Sequence, residues 1–208
     1  MATTLMSSII FSASLFVIFS MAITAKANDS GRGRAKVTNL MLEACKNASV
    51  YSRDFELHVT QEFCLSTLQS NNRSVDARDH LDLVLIAIDI FKDRLNTANH
   101  NVEKMLQNAK KGTVKIRDLY LCKVYYDTTT RIINICDSMF TDYRGDKGEL
   151  QPFELLGWVD RVGFPIEGCR SNLSIEKPRA DSLINENFEM AMLVNLGYAL
   201  LAPYDDSY

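Results

Sequence analysis

Apolar residues recur at alternating steps of three and four along most of this chain, which is the spacing that places side chains on one face of an α-helix. The longest such stripe lies between residues 116 and 140. It consists of Leu119, Cys122, Tyr126, Thr129, Ile133, Cys136 and Phe140. The pattern predicts a long helix that packs against other helices.

A second long helix is predicted from Leu81 to Leu95, because apolar residues cover one face of this segment. Leu83, Ile86 and Ile90 widen that face, so the helix is expected to lie deep in the fold. Residues 101–109 continue this helix or form a separate one after it.

Two later segments have the same amphipathic character. One runs from about residue 149 to residue 162, where Pro152 and Gly157 leave its ends undefined. The other is predicted to begin at Ser182, a favourable N-cap, and to end at Pro203. Its apolar stripe comprises Ile184, Phe188, Ala191, Met192, Leu196 and Ala199. Since no convincing pair of strands is found, the predicted fold class is all-α.

Two short helical segments precede these helices, at residues 37–46 and 60–68, and they contain Cys45 and Cys64. Helices of this length are marginally stable alone. A disulfide between the two cysteines would fold the segments into a hairpin and stabilise it by about 3 kcal/mol in the chain-entropy estimate. We therefore interpret this cysteine pair as a structural staple.

The first 27 residues have the form of a secretory signal peptide. A nearly uninterrupted apolar run from Ile9 to Ile23 is followed by Ala25-Lys26-Ala27, the small-x-small pattern that signal peptidase accepts. A membrane anchor is the alternative, but the run is short for a bilayer span, which needs roughly 20 apolar residues. Cleavage after Ala27 predicts a secreted protein with no membrane segment in its mature form.

Removal of 27 residues from the 208 leaves 181, a length that suits one domain. We place that domain at residues 37–202, between a flexible leader at residues 28–36 and a short acidic tail at residues 203–208. The chain has four Asn-x-Ser sequons, which fit passage through the secretory pathway. One lies at the start of the leader, and the three within the predicted domain are the candidate N-glycosylation sites. Their asparagines are Asn47, Asn72 and Asn172.

Secretion also bears on the cysteines, because four of the five are expected to pair in an oxidising compartment. Cys122 and Cys136 share a predicted helix face but stand roughly 21 Å apart along a continuous helix. Bonded cysteines have Cα atoms within about 7 Å of each other, so these two cannot pair. Either Cys122 or Cys136 is expected to bond Cys169, and the other is a buried free thiol.

The sequence shows no catalytic or metal-binding motif. It has no Cys-x-x-Cys, and His58, His80 and His100 are scattered, so neither a metal nor another cofactor is predicted. An enzyme built on Cys136 and a histidine is an alternative, but the apolar stripe that carries Cys136 favours an inert buried thiol. Trp158 is interpreted as a core anchor in preference to an exposed contact.

The charge of the chain excludes one class of partner. The sequence has 23 basic and 26 acidic residues, and loss of Lys26 with the signal peptide gives a mature net charge of −4. Nucleic-acid binding depends on neutralising phosphates with basic side chains. An acidic chain of this kind is therefore not expected to bind nucleic acid.

Two early and two late cysteines occur together with the run Asn72-Arg73-Ser74-Val75-Asp76-Ala77 before the first long helix. This set of residues resembles the plant invertase and pectin methylesterase inhibitor family. The resemblance covers about residues 37–201 and implies an up-and-down four-helix bundle preceded by a disulfide-stapled helical hairpin. It implies bonds Cys45–Cys64 and Cys122–Cys169, because the family has its third cysteine in a Leu-x-x-Cys-x-x-x-Tyr context like that of Cys122. Cys136 is then the free thiol.

The resemblance also suggests residues that contact a target enzyme. Pectin methylesterase inhibitors carry a Thr-Trp-Leu/Val-Ser-Ala-Ala run, of which this chain retains Trp158-Val159, and they are expected to bind through faces of the bundle helices. Invertase inhibitors present Pro-Lys-Phe in a loop. This chain has Lys147, Pro152 and Phe153 in the corresponding region, but not as a tripeptide. These three residues and Trp158 are the candidate target contacts.

The predicted function is that of a secreted protein inhibitor, not an enzyme, which binds and occludes a plant carbohydrate-active enzyme one-to-one. The expected location is the apoplast or cell wall, with the vacuole as an alternative. Pectin methylesterase is the preferred target because Trp158-Val159 is retained, and cell-wall or vacuolar acid invertase is the alternative. A second alternative is a diverged extracellular binding protein that inhibits nothing.

Overall fold

The computed structural model describes residues 34–52, 56–109, 114–144, 152–174 and 181–204. The described residues form no strand and six α-helices: α1 Asn39–Tyr51, α2 Gln61–Gln69, α3 His80–Asn108, α4 Val114–Arg144, α5 Pro152–Ser174 and α6 Asp181–Leu201. Short 3-10 helices at Asn72–Asp76 and Ala202–Tyr204 follow α2 and α6. The predicted all-α fold class is confirmed. The predicted signal peptide, most of the leader and most of the tail lie outside the described residues.

Helices α3 to α6 form an up-and-down four-helix bundle. The main packing contacts join α3 to α4, α4 to α5, α5 to α6 and α6 to α3, so each helix has two neighbours. Helices α1 and α2 form the N-terminal hairpin, whose main contacts with the bundle are with α6 and α3. The side formed by α4 and α5 therefore faces away from the hairpin.

The first three helices begin at side-chain caps. Thr38, Thr60 and Asp79 directly precede α1, α2 and α3, and each accepts a hydrogen bond from the backbone N–H three residues later, at 3.2, 3.1 and 2.9 Å. Such a cap satisfies one of the backbone donors that the first turn leaves without a helical partner. In the connection between α1 and α2, the backbone N–H of Val59 donates to Ser52 Oγ at 2.8 Å.

The two long helices agree with the sequence pattern. The seven residues of the predicted stripe on α4 are all buried, with at most 4 % exposure. The segments predicted at 81–95 and 101–109 are parts of one helix, α3. Its buried face includes Leu83 and Ile86, as expected for a helix deep in the fold.

Helix α5 extends farther than predicted, through Pro165 to Ser174. A proline inside a helix removes a backbone hydrogen bond and costs about 3 kcal/mol. On the turns after Pro165, the side chains of Ile166 and Leu173 are almost completely buried. Cys169, between them, is bonded to α4. Tertiary burial and this bond offset the cost of Pro165, so the helix continues beyond residue 162, where the predicted segment ended.

Helix α6 departs from its predicted stripe at Phe188, whose side chain is 40 % exposed. The helix begins at Asp181, so Ser182 lies inside the first turn and does not cap it. Between Met190 and Leu201 almost all residues are buried, because α6 contacts α3, α5 and the hairpin helix α1. A helix with neighbours on three sides has no single buried face for a periodicity to reveal.

Both disulfides join neighbouring helices. Cys45 of α1 is bonded to Cys64 of α2, with 5.4 Å between Cα atoms, and Cys122 of α4 is bonded to Cys169 of α5, with 4.7 Å. These are the pairs that the family resemblance implies. Cys136 is a buried free thiol.

Two glycines of α5 give opposite expectations for substitution by alanine. At Gly157 a Cβ atom would meet nothing within 4 Å, whereas at Gly168 it would lie 2.9 Å from Tyr125 Cζ. Because alanine is the better helix former, Gly157→Ala is expected to raise the free energy of unfolding by about 0.5–1 kcal/mol. Gly168→Ala is expected to lower it by about 1 kcal/mol, since overpacking outweighs the gain in propensity. Urea denaturation measures both variants, and equal effects would contradict the close α4–α5 approach.

Candidate functional site

Helix α4 carries a second apolar row beside its buried stripe. Its residues recur at steps of four and three and are Leu121, Tyr125, Thr128, Ile132, Ile135 and Met139. Tyr125 faces α5, because its ring lies against Gly168. By helix periodicity the other members of the row lie on the same side of α4. This row therefore follows the outer seam between α4 and α5.

Part of this row and its surroundings is exposed to solvent. Ile135 is 45 % exposed and Leu121 is 37 % exposed, while Val124, next to Tyr125, is 59 % exposed. On α5, Phe164 is 73 % exposed and lies one helical turn before Gly168, on the same side of the helix. We call these residues the apolar strip: Leu121, Val124, Tyr125, Ile135 and Phe164. Periodicity places them on the outer side of α4 and α5, and exposed apolar surface of this kind is typical of sites of protein association.

The α5 backbone lies close to this side of α4 at Gly168. Gly168 allows the Tyr125 ring to pack directly on the α5 backbone, whereas Gly157 is exposed with open space where a side chain would be.

Three of the four candidate contacts identified from the sequence lie within the described residues, and all three belong to α5. Trp158 is half-buried and packs against the core, and the Arg161 guanidinium lies 4.7 Å from its ring centroid, a cation–π contact. Pro152 and Phe153 are the first two residues of α5, so they belong to a helix and not to an extended loop. Lys147 lies outside the described residues. Of these candidates, the structure describes the surroundings of Trp158 and the helical backbone of Pro152 and Phe153.

The apolar strip was not predicted from the sequence. The signal was present, because the row from Leu121 to Met139 follows the same three-and-four spacing as the buried stripe. One helix with two adjacent apolar rows has more apolar surface than a single seam uses. The excess of apolar positions on α4 could thus have indicated an additional surface, although not that it stays exposed.

A buried polar cluster lies behind the strip, where α4, α5 and α6 meet. Asn187 Nδ2 donates to the Leu183 carbonyl at 2.7 Å and to the Tyr126 hydroxyl oxygen at 2.8 Å. The Tyr126 hydroxyl lies 3.6 Å from Cys169 Sγ and donates toward it, since a disulfide sulfur has no proton. Burial raises the pKa of Tyr126 above its ordinary value, which keeps the phenol neutral. The cluster links the two helices of the strip to α6.

The free thiol does not support nucleophilic chemistry. Cys136 is completely buried, and this burial raises its pKa to about 12. A thiolate is the nucleophilic form of cysteine, and almost none forms at neutral pH under these conditions. Among the described residues there is also no group of three or more His, Cys, Asp or Glu side chains placed to hold a metal ion.

Glu186 makes the stability of the fold depend on pH. Its Oε1 accepts a hydrogen bond from Asn101 Nδ2 at 2.8 Å, while its Oε2 is buried with no hydrogen-bond partner in the described part of the chain. Burial raises the pKa of Glu186 above its usual 4.5, and Glu189 adds to this effect while Arg94 opposes it. The native state therefore binds the proton more tightly than the unfolded chain does.

The contribution of Glu186 to stability is consequently greatest below its unfolded pKa and is lost as pH rises through the higher native pKa. We expect the free energy of unfolding of the protein, relative to a Glu186→Gln variant, to fall as the pH is raised from about 4 toward neutrality. Urea denaturation of both proteins across this range measures the difference. A difference that stays constant or rises with pH would contradict the assignment.

The three candidate N-glycosylation sites occupy different surroundings. Asn72 is exposed at the start of the 3-10 helix Asn72–Asp76. Asn47 lies within α1 and Asn172 within the last turns of α5, and both are half-buried.

Comparison with known families agrees with this architecture. A family model described as plant invertase/pectin methylesterase inhibitor matches residues 39–199. The match begins at the first residue of α1 and ends near the end of α6, so it includes all six described helices. No curated protein matches the chain. In the described residues no helix has the length and apolar character needed to cross a membrane. The chain belongs to the plant invertase/pectin methylesterase inhibitor family.

Proposed function

We propose that the mature protein is a secreted inhibitor of pectin methylesterase that binds the enzyme one-to-one and occludes its active site without catalysing a reaction. The observation that carries this proposal is the apolar strip on the side of the bundle that the hairpin leaves uncovered. Members of the family inhibit pectin methylesterase or invertase by binding them. An exposed apolar surface is the element that such binding requires, because the centre of a protein interface is apolar and rich in aromatic residues.

The choice of pectin methylesterase rests on how the apolar surface is built. In this family, resemblance to pectin methylesterase inhibitors implies docking through helix faces, and the strip lies on two helices. Resemblance to invertase inhibitors implies a loop that carries Pro-Lys-Phe. Here Pro152 and Phe153 are helical, and a helical turn does not extend into an active site as a loop does. Helix-face docking is therefore favoured.

The retained Trp158-Val159 pair supports this choice because it packs α5 into the bundle, not because it contacts the target. Val159 is buried and Trp158 is half-buried, so the pair anchors α5 in the bundle. We propose that it positions Phe164, two turns farther along α5, and that Trp158 itself is not the principal contact. Acid invertase remains the second candidate target, because the family name covers both enzymes and Lys147 precedes α5 closely in the chain.

We also propose that the protein acts in the cell wall or apoplast. The signal-peptide pattern at residues 1–27 and the disulfides support this location, because disulfides persist in oxidising compartments. The buried Cys136 has no partner for a third bond and is sheltered from oxidants by its position.

A titration of the purified, disulfide-bonded protein against a plant pectin methylesterase and a plant acid invertase tests the proposal. Residual activity is followed at mildly acidic pH as the inhibitor is added. We expect pectin methylesterase activity to fall to near zero at an equimolar ratio and invertase activity to remain. Loss of invertase activity alone would mean that invertase, and not pectin methylesterase, is the target. Full activity of both enzymes in a large excess of inhibitor would overturn the proposal.

A further inference from the structure

The three sequons in the described residues have equivalent sequences but different surroundings in the folded chain. Asn72 is exposed at the first residue of a short 3-10 helix, where the chain turns from the hairpin toward α3. Asn47 is half-buried within α1, between Cys45 and Ala48, which have no appreciable exposure. A sugar attached to an asparagine must leave the surface without displacing packed residues. Asn72 meets this condition best.

Space for the sugar is present beside Asn72. The two residues before it, Ser70 and Asn71, line a recess of about 280 Å³ against the outer side of α3. From α3 the recess is lined by Ile90, Asp93, Arg94 and Thr97. Hydroxyl, amide, carboxylate and guanidinium groups around one apolar side chain are suitable neighbours for a sugar, which combines hydrogen-bonding groups with an apolar ring face.

A glycan on the sequon at Asn172 would also interfere with the apolar strip. Asn172 lies one turn after Gly168 and two turns after Phe164, so the three residues form one row along the same side of α5. A glycan on Asn172 would therefore stand at the edge of the apolar strip. A glycan on Asn72 lies next to the hairpin and α3, on the side of the bundle away from the strip.

We infer that, of the three sequons in the described residues, Asn72 is N-glycosylated and Asn47 and Asn172 are unmodified. The sugar covers the recess between the end of α2 and α3 and leaves the α4–α5 side bare. Ser74, the hydroxyl residue of this sequon, is completely buried in the native state and donates to the Leu68 carbonyl at 2.6 Å. The glycan is accordingly added before Ser74 packs, as the chain enters the secretory pathway.

Expression of the full chain in a plant secretory host tests this inference. The protein is digested, the glycans are removed with a peptide N-glycosidase that converts the modified asparagine to aspartate, and mass spectrometry identifies the converted residue. We expect conversion at Asn72 and not at Asn47 or Asn172. This measurement needs no variant and therefore does not depend on the folding of one.

Matched variants give a second measurement. The variants are made on an Asn28→Gln background, which removes the remaining sequon Asn28-Asp29-Ser30. The gel mobility of Asn72→Gln is then expected to equal that of the enzymatically deglycosylated protein, whereas Asn47→Gln and Asn172→Gln keep the mobility of the glycosylated form. A protein without sugar on Asn72, or with sugar on Asn172, would overturn the inference. Enzyme inhibition is scored separately: a glycosylated Asn72 in a protein that inhibits nothing would refute the proposed function alone, and an unmodified Asn72 in an active inhibitor would refute the glycan assignment alone.

Discussion

Replacement of Phe164 by alanine is expected to weaken inhibition of pectin methylesterase by roughly thirty-fold or more, which corresponds to about 2 kcal/mol of binding free energy. Phe164 is the most exposed large apolar residue of the strip, at 73 %. An aromatic side chain that becomes desolvated at the centre of an interface is the usual source of an effect of this size. The measurement is the inhibition constant of the purified variant against the enzyme.

The fold should tolerate this change, because truncating a solvent-exposed side chain alters the free energy of unfolding by about 0.5 kcal/mol or less. Urea denaturation verifies that the variant is intact. Phe188→Ala on α6 is the matched control, since Phe188 is another partly exposed phenylalanine that lies outside the strip. Its inhibition constant is expected to stay within about two-fold of the wild type. Equal losses in the two variants, or none in Phe164→Ala, would mean that the target does not dock on the strip.

The second large effect is expected from removing the disulfide between α4 and α5. The double variant Cys122→Ala, Cys169→Ala should lose at least about 4 kcal/mol of unfolding free energy, because this bond closes a separation of 47 residues in the unfolded chain. Removal of the Cys45–Cys64 bond, with a separation of 19 residues, should cost about 3 kcal/mol by the same reasoning. Both are large fractions of the 5–15 kcal/mol typical of a domain. Urea denaturation under non-reducing conditions measures them.

Cys136→Ala is the control for the cysteine variants. It removes one buried sulfur and leaves both disulfides, so the expected loss is only about 1 kcal/mol. The α4–α5 variant should also lose inhibitory activity first on warming, since the strip is built on the two helices that this bond joins. If its stability were no lower than that of Cys136→Ala, the bond could not be the main constraint between α4 and α5.

Several parts of the fold were predictable because local chemistry determines them. The buried row from Leu119 to Phe140 was read directly from periodicity, and all of its residues are buried. Side-chain caps such as Thr38 and Asp79 also act within one turn of the chain, but neither was predicted, and the one predicted cap, Ser182, lies inside α6. The all-α class followed from the same local patterns.

Other features depended on contacts between distant segments. The periodicity of α6 indicated Phe188 as a packed residue, yet it is exposed, while the second half of the helix is buried on almost every side. Helix α5 continued through Pro165 because the bond to Cys122 and burial of the following turns stabilise it. Neither result can be read from one segment alone.

For the candidate site, too, some features follow from the sequence and others only from the tertiary structure. The sequence by itself determined the all-helical class, the buried stripe of α4 and, through a family resemblance, both disulfide pairs and the class of inhibitor. Only the tertiary structure decided which apolar residues stay exposed. Phe164 and Ile135 have the same apolar character as residues of the core, and they remain in solvent because the hairpin covers α3 and α6 and leaves the α4–α5 side open.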